Sequence, residues 1–480
     1  MTSSIGPVED TRYKWKALLT VGLGIVLSTL DGSIITLAFP ELTRVFNADL
    51  TEVMWITIAY ILVSSGLMLT FGKLSDYLGR KRIFTAGTAV FTIGLAACSV
   101  AQSLEQIILF RVIQAVGTTM IMGCSSAIIT DAFPDSERGR GLGLLGAAVY
   151  LGFILGPALG GFLLEWLDWR AIFYLRIPPG ILAFAVSWLL LRKDTSKREK
   201  INLDLWGTFT SFAGLFCLLF GITQVKASGL LSPRAMILIG AGFIFLYLFL
   251  IVEKRVKEPI FSLGLFRNRT FSSAVSGFFI YFLAVPPMCA LILPFYLTDA
   301  VIMPPRTMGL LLSVIPVVTM IFSPISGFFS DRFGPRWPST IGAGMVALSF
   351  LGMLWFGPQT GVWALVAVFL LLGMGMGTFT APNNSAIMGA VGKDLIGSAS
   401  ALIATNRQVA TTIGMTVIGT IFSISRETGL SSPLREATAS AFHDVALAGL
   451  FLSVAVLVLS LASPKRSQKS DRIGRKVADE

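Results

Sequence analysis

Asp31 is the side chain whose position demands a chemical explanation. It sits in Leu30-Asp31-Gly32-Ser33-Ile34-Ile35, in the outer half of the first long apolar stretch. A carboxylate at membrane depth is costly unless it is paired, protonated or wet. Desolvation disfavours its ionised form and would let it take up and release a proton, whereas a nearby cation favours the ionised form. Arg111, in the fourth apolar stretch, is the other costly charge. Spans one and four run in opposite directions, and the two residues fall at comparable depth. Which effect dominates could differ between outward- and inward-open states, and that difference would couple proton movement to shape. A static buried pair is the competing reading. Gln114, three residues after Arg111, shares its helix face and could hydrogen-bond a substrate or a neighbouring helix.

Further polar residues interrupt the apolar stretches. Arg407, between Asn406 and Gln408, could meet an anionic substrate group or a backbone carbonyl, or snorkel to the surface. Asn383 and Asn384, beside Pro382, are similar candidates for substrate contact. His443, the single histidine, reads as interfacial. Cys98, Cys124, Cys217 and Cys289 all fall in apolar stretches and read as small hydrophobes, with no metal site or disulfide framework. Gly141-Leu142-Gly143-Leu144-Leu145-Gly146 satisfies G-x-G-x-x-G, but no strand precedes it and it opens an apolar helix, so it is not read as a nucleotide site. No phosphate-loop motif occurs, so ATP is not expected to drive the protein. No cofactor is expected beyond protons as a coupling ion.

The elements that must position these residues are membrane helices. The chain is 54% hydrophobic and 14% charged over 480 residues, too apolar for a soluble globule. Runs of about 20 apolar residues suit membrane crossing. Fourteen spans are predicted, beginning near Trp15, Val53, Ile83, Ile107, Gly141, Pro178, Leu205, Ala235, Phe271, Thr307, Ser339, Val362, Gly397 and Val445. Spans nine and ten are the hardest to delimit, because Pro286, Pro287, Pro294, Pro304 and Pro305 crowd them. No cleavable signal peptide is expected, since the first apolar run is long enough to span and lacks a cleavage site.

A net charge of +11 could suggest a nucleic-acid partner, but its distribution argues against one. With the N-terminus inside, a large majority of Lys and Arg falls on the cytoplasmic side, the bias that orients membrane proteins. Both termini are then cytoplasmic, in a multi-pass protein of the cell (inner) membrane. The lipid bilayer is the expected partner, and a periplasmic adaptor is left undetermined. No segment between spans is long enough for a soluble catalytic domain, and no clustered nucleophile, base or metal ligand suggests an enzyme.

An internal repeat organises the chain. Gly72-Lys73-Leu74-Ser75-Asp76-Tyr77-Leu78-Gly79-Arg80-Lys81-Arg82 follows span two, and Gly327-Phe328-Phe329-Ser330-Asp331-Arg332-Phe333-Gly334-Pro335-Arg336 follows span ten, at an offset of 255 residues. Gly139 and Gly156 recur more weakly as Gly397 and Gly414, at an offset of 258. The expected architecture is all-α, with two parallel six-helix halves plus two inserted central helices. The divisions are 1–192 for the N-terminal half, 193–270 for the inserted pair and its linkers, 271–463 for the C-terminal half and 464–480 for a cytoplasmic tail. In duplicated transporters the substrate site lies between such halves at mid-membrane. The paired loops read either as packing and topology signals or as a conformational latch. The latch residues are Gly72, Asp76, Gly79, Arg80 and Arg82, with Asp331 and Arg336 in the repeat. In span five, Gly152, Gly156, Gly160 and Gly161 make a flat stripe around Pro157, where another backbone could approach.

Together these segments resemble the major facilitator superfamily, and more narrowly its fourteen-helix drug:proton antiporter branch. Residues 72–82 are similar to the superfamily loop signature. Leu109-Phe110-Arg111-Val112-Ile113-Gln114-Ala115-Val116-Gly117 is similar to the span-four proton-transfer motif, with Ala115 in place of a usual glycine. Residues 152–161 resemble the span-five antiporter signature, and residues 30–40 the span-one motif of that branch. The resemblance implies alternating access and proton-driven export of lipophilic or amphiphilic compounds. Two departures stand out. Arg176 occupies a place before Pro178 where family members often carry Asn, which is expected to alter an outer-surface contact. The stretch 309–329 carries no acid, which argues for monocationic, zwitterionic or neutral amphiphiles over dications. A dedicated exporter of one endogenous lipid, siderophore or metabolite is the alternative. A non-transporting membrane sensor would give no reason for two latch loops and a buried acid.

Overall fold

The computed structural model describes residues 11–134, 137–192, 205–228, 232–253, 268–390, 396–428 and 433–462. The described residues form helices and no strand. Helix α1 (Thr11–Ile34) tightens into a 3-10 turn (Ile35–Ala38) and continues as α2 (Phe39–Val45). Pro40 is tolerated in the first turn of α2, where its missing donor is not needed. Then follow α3 (Leu50–Leu78), α4 (Arg80–Ser99), α5 (Leu104–Ala132), α6 (Arg138–Trp166), the short α7 (Ala171–Tyr174), α8 (Ile177–Leu190), α9 (Leu205–Ser228) and α10 (Pro233–Glu253). Ser103 caps α5 by accepting from the Gln106 amide at 3.3 Å.

Helix α11 (Arg269–Pro287) begins at Asn268, whose side chain accepts from the Thr270 amide at 3.0 Å. It runs on through a π turn (Met288–Ile292), α12 (Leu293–Phe295) and a second π turn (Tyr296–Ala300). Pro286, Pro287 and Pro294 lack amide donors, so the wider turns absorb the missing bonds without breaking the rod. The proline-rich region that obscured spans nine and ten thus resolves into an apolar rod, Arg269–Ala300, followed by a second, Pro305–Ser330. Helices α13 (Pro305–Phe333), α14 (Arg336–Met353), α15 (Val362–Gly389), α16 (Ile396–Thr428) and α17 (Leu434–Ala462) complete the order.

Among the described residues, 12 helices are long and apolar enough to cross a membrane. That is two fewer than the sequence suggests. The two left over are α9, of which Phe209–Gln224 is the apolar part among the described residues, and α14, which opens on Arg336 and buries Ser339, Thr340 and Ser349.

The chain forms two compact units. One comprises Met1–Val252 with Ile302–Ser313, and the other Glu253–Val301 with Val314–Glu480. Helices α9 and α10, the expected insertion, fall in the first unit. There α9 packs on α3, with Trp55 edge-on to Phe220 at 5.6 Å.

Each unit carries the same close helix pairing. A Cβ on Gly117 of α5 would come within 2.8 Å of the Gly87 carbonyl on α4, and one on Gly375 of α15 within 3.0 Å of the Gly342 carbonyl on α14. Gly87 and Gly342 are 255 apart, and Gly117 and Gly375 are 258 apart. The sequence repeat is therefore a repeat of backbone contacts, since only glycine lets two helices approach this closely.

Candidate functional site

Two buried arginines of the first unit converge on Asp31. Its carboxylate, on α1, is fully buried. Arg111 of α5 donates from Nη1 to Asp31 Oδ2 at 2.5 Å and to Gln114 Oε1 at 2.8 Å. Gln114 donates from Nε2 to Asp31 Oδ1 at 2.9 Å. The i, i+3 spacing on α5 puts both side chains over one turn, so one carboxylate can meet both. Arg111 also donates from Nε to the Ile56 carbonyl at 3.4 Å. Its guanidinium lies 4.0 Å from the centroid of the Tyr60 ring. Tyr60 is held in turn by a 2.7 Å hydrogen bond between its hydroxyl and Thr118 Oγ1.

A second arginine completes the group. Arg176 stands between α7 and α8 and donates from Nη1 to Asp31 Oδ1 at 2.5 Å. Its Nε donates to the Ile172 carbonyl at 2.5 Å. The expected outer-surface contact is thereby corrected, because Arg176 is only 5% exposed. It misled as a surface residue because it precedes Pro178, in a position that reads as a turn. Its one signal was a positive charge inside the otherwise uncharged apolar stretch Ala171–Leu190. Asp31 therefore serves two cations, and the amides and rings around them fix both guanidiniums in place.

The glycines of α6 hold α1 against this group. A Cβ on Gly152 would collide with Thr29 Oγ1, and one on Gly156 with Ser33 Oγ. A Cβ on Gly160 would sit 2.8 Å from Ile34 Cγ1, and one on Gly161 2.5 Å from the Pro305 carbonyl. Ser33 donates to the Gly152 carbonyl at 3.4 Å, five residues before Pro157 in the interior of α6. The second unit repeats the device, since a Cβ on Gly414 of α16 would collide with the Leu283 carbonyl on α11. Surroundings of Gly139 and Gly397 lie outside the described residues.

The loop residues tie helices within each unit. Gly79 (φ +100°) and Gly334 (φ +84°) both take the left-handed backbone that ends one helix and starts the next. Arg80 donates to Asp131 and, at 3.3 Å, to the Ala127 carbonyl, both on α5. Arg336 donates to the Leu461 carbonyl of α17 at 2.5 Å. Gly72 faces Gly123 of α5, where an added Cβ would lie 3.1 Å from the Gly72 amide. Arg82 is exposed. The side chains of Asp76 and Asp331 lie outside the described residues.

In the second unit, Asn383 donates to the Ala274 carbonyl and Asn406 to the Val275 carbonyl, each at 3.0 Å. Two asparagines from α15 and α16 thus grip consecutive carbonyls of α11, a pairing the sequence did not reveal. Asn384 is half-buried, and its Oδ1 accepts no hydrogen bond among the described residues. Arg407 is exposed. Sequence reasoning also missed Asp299, which the second π turn buries 2.9 Å from Arg426.

Comparison with known proteins gives a consistent picture. The Major Facilitator Superfamily profile matches residues 21–415. The riboflavin transporter RibZ of Clostridioides difficile is 32% identical over 86% of this chain and 89% of its own length. Multidrug resistance protein 3 of Bacillus subtilis is 30% identical over 88% and 81%. The tetracenomycin C resistance and export protein of Streptomyces glaucescens is 27% identical over 87% and 78%. Among solved structures, a bacterial homologue of the human lysosomal transporter Spinster, inward-facing and unoccupied, superposes with a TM-score of 0.69. It is 16% identical, over 95% of this chain and 97% of that one. A peptide transporter POT in complex with sulfate gives 0.68 at 15% identity, over 93% and 94%.

Proposed function

The chain belongs to the Major Facilitator Superfamily and is a membrane transporter, and from that premise we propose that it exports lipophilic or amphiphilic compounds by alternating access, driven by proton entry. The observation that carries this reading is Asp31, a carboxylate buried in a membrane-crossing helix and held by Arg111 and Gln114. An intramembrane acid gripped this way is a functional site by default. A proton arriving at Asp31 removes the charge that holds the guanidiniums, so the packing around α1 and α5 shifts with it. Relatives named for multidrug resistance and for tetracenomycin C export support the export direction.

In this reading Arg111 and Asp31 couple the proton, while Gln114, Asn383, Asn384 and Arg407 contact substrate. The loop residues Gly72, Asp76, Gly79, Arg80, Arg82, Asp331 and Arg336 form the latch that is made and broken in each cycle. Helices α9 and α14 are the thirteenth and fourteenth crossings, so both termini face the cytoplasm from the cell (inner) membrane. The chain divides at 192, 270 and 463 into its two halves, the inserted pair and a tail. It carries out no catalysis, and its partners are the lipid bilayer and its substrate.

The test is dye transport in inverted vesicles under an imposed pH gradient, with ethidium, Nile red and rhodamine 110. Gradient-dependent transport of at least one dye is expected, and its loss in Asp31→Asn. Transport that is indifferent to the gradient, or that survives the substitution, would refute the proton-coupled reading.

A second reading is export of one endogenous metabolite. The 32% identity to a riboflavin transporter favours it. Riboflavin transported in the same vesicles, with all three dyes refused, would select this alternative.

A further inference from the structure

Asp31 binds two arginines, and that arithmetic leaves a charge unanswered. Arg111 and Arg176 each spend Nη1 on one carboxylate, at 2.5 Å in both cases. Among the described residues no second acid pairs with either guanidinium. The group therefore carries one excess positive charge, in side chains that are 0% and 5% exposed. A buried charge without a partner is strongly unfavourable.

The hydrogen bonds show where the missing partner belongs. Each arginine uses Nε on a backbone carbonyl, that of Ile56 for Arg111 and that of Ile172 for Arg176. Each uses Nη1 on Asp31. On each, Nη2 is buried and has no hydrogen-bond partner. The same atom is thus left over on two guanidiniums that share a carboxylate. A guanidinium is a planar fork suited to carboxylate and phosphate oxygens. Water could satisfy the two donors but would leave the charge in place. An anionic group satisfies both.

We propose that Arg111 and Arg176 form an anion site, and that the transported amphiphile carries a carboxylate or phosphate that docks on their Nη2 atoms. The proposal rests on reading the Asp31 group as the transport site, but not on the direction of transport or on its proton coupling. It makes Arg176 a specificity residue. A lone cation fits this group poorly, and a zwitterion fits through its acidic end.

The experiment is direct binding to the purified full-length protein in detergent, followed by fluorescence anisotropy. The probes are rhodamine 110, which carries a free carboxylate, and rhodamine 123, its methyl ester. Wild type is expected to bind the acid at least about tenfold more tightly than the ester, the equivalent of about 1.4 kcal/mol. Arg176→Gln is expected to bring the ratio close to one, and Arg176→Lys, which keeps the charge without the fork, to restore part of it. Inorganic phosphate that displaces rhodamine 110 would extend the site to free anions. No binding of the acid, equal binding of both dyes by wild type, or a ratio unchanged in Arg176→Gln would overturn the proposal. The wild-type comparison stands even if the variants fold poorly. An intact acid preference without gradient-driven transport would sink proton coupling alone, and a ratio of one with intact transport would sink the anion site alone.

Discussion

The Tyr60 ring lies beneath the Arg111 guanidinium at 4.0 Å, and its hydroxyl is tied to Thr118 at 2.7 Å. Arg111 is therefore presented to Asp31 from a fixed aromatic platform. Tyr60→Phe keeps the ring and loses one buried hydrogen bond, so it should cost about 1 kcal/mol. Tyr60→Leu also removes the cation–π contact and should cost about 2 kcal/mol more. Thermal unfolding of both variants in detergent checks the order, and a Leu variant as stable as the Phe variant would refute the platform.

Charge counting ranks the substitutions at the buried group. Arg176→Gln leaves Asp31 and Arg111 as a neutral pair, whereas Asp31→Asn leaves two guanidiniums around an uncharged amide. Asp31→Asn should therefore be the more destabilising, by roughly 3 kcal/mol, the cost of breaking a buried pair. Arg176→Gln should unfold within a few degrees of wild type. The reverse order in a thermal melt would mean that Arg176, and not Asp31, organises the group.

Glycines on α6 should differ sharply by position. Gly152→Ala and Gly156→Ala drive a methyl into Thr29 and Ser33, which have backbone immediately behind them. Overpacking of this kind costs about 1–3 kcal/mol, and transport should fall at least about tenfold. Gly146→Ala meets nothing within 4 Å, and should be neutral or stabilising by up to about 1 kcal/mol. Equal effects at Gly146 and Gly156 would rule out the close contact of α6 with α1.

Gly79 and Gly334 hold positive φ at matching places in the repeat. A Cβ in the left-handed region costs about 1–2 kcal/mol. Alanine at either position should lower the melting temperature by a few degrees. Gly327 lies in the last turns of α13, seven residues before Gly334, with ordinary backbone and open space around it, so Gly327→Ala is the control that should change little.

The polar tie of the first loop should be weak. Arg80 pairs with Asp131, whose side chain is mostly exposed. A double-mutant cycle with Arg80→Gln and Asp131→Asn should give a coupling of about 0.2–1 kcal/mol. A contact this weak can open in every transport cycle. A coupling several times larger would argue for a permanent brace.

The sequence alone determined the properties that depend on the transfer of residues one at a time into lipid. Long apolar runs announced the membrane helices, and the expense of a charge at depth singled out Asp31 and Arg111 without any knowledge of contacts. The offsets of 255 and 258 residues exposed the duplication, because glycine is irreplaceable where backbones touch. Only the tertiary structure decided which charges meet. Arg176 reaches Asp31 across 145 residues of chain, and that meeting depends on how α1, α5 and α8 are rotated about their axes, which hydropathy does not encode. The same holds for Asn383 and Asn406, whose grip on adjacent carbonyls of α11 depends on how α15 and α16 face α11. The buried hydroxyls of α14, at Ser339, Thr340 and Ser349, likewise became visible only in the fold.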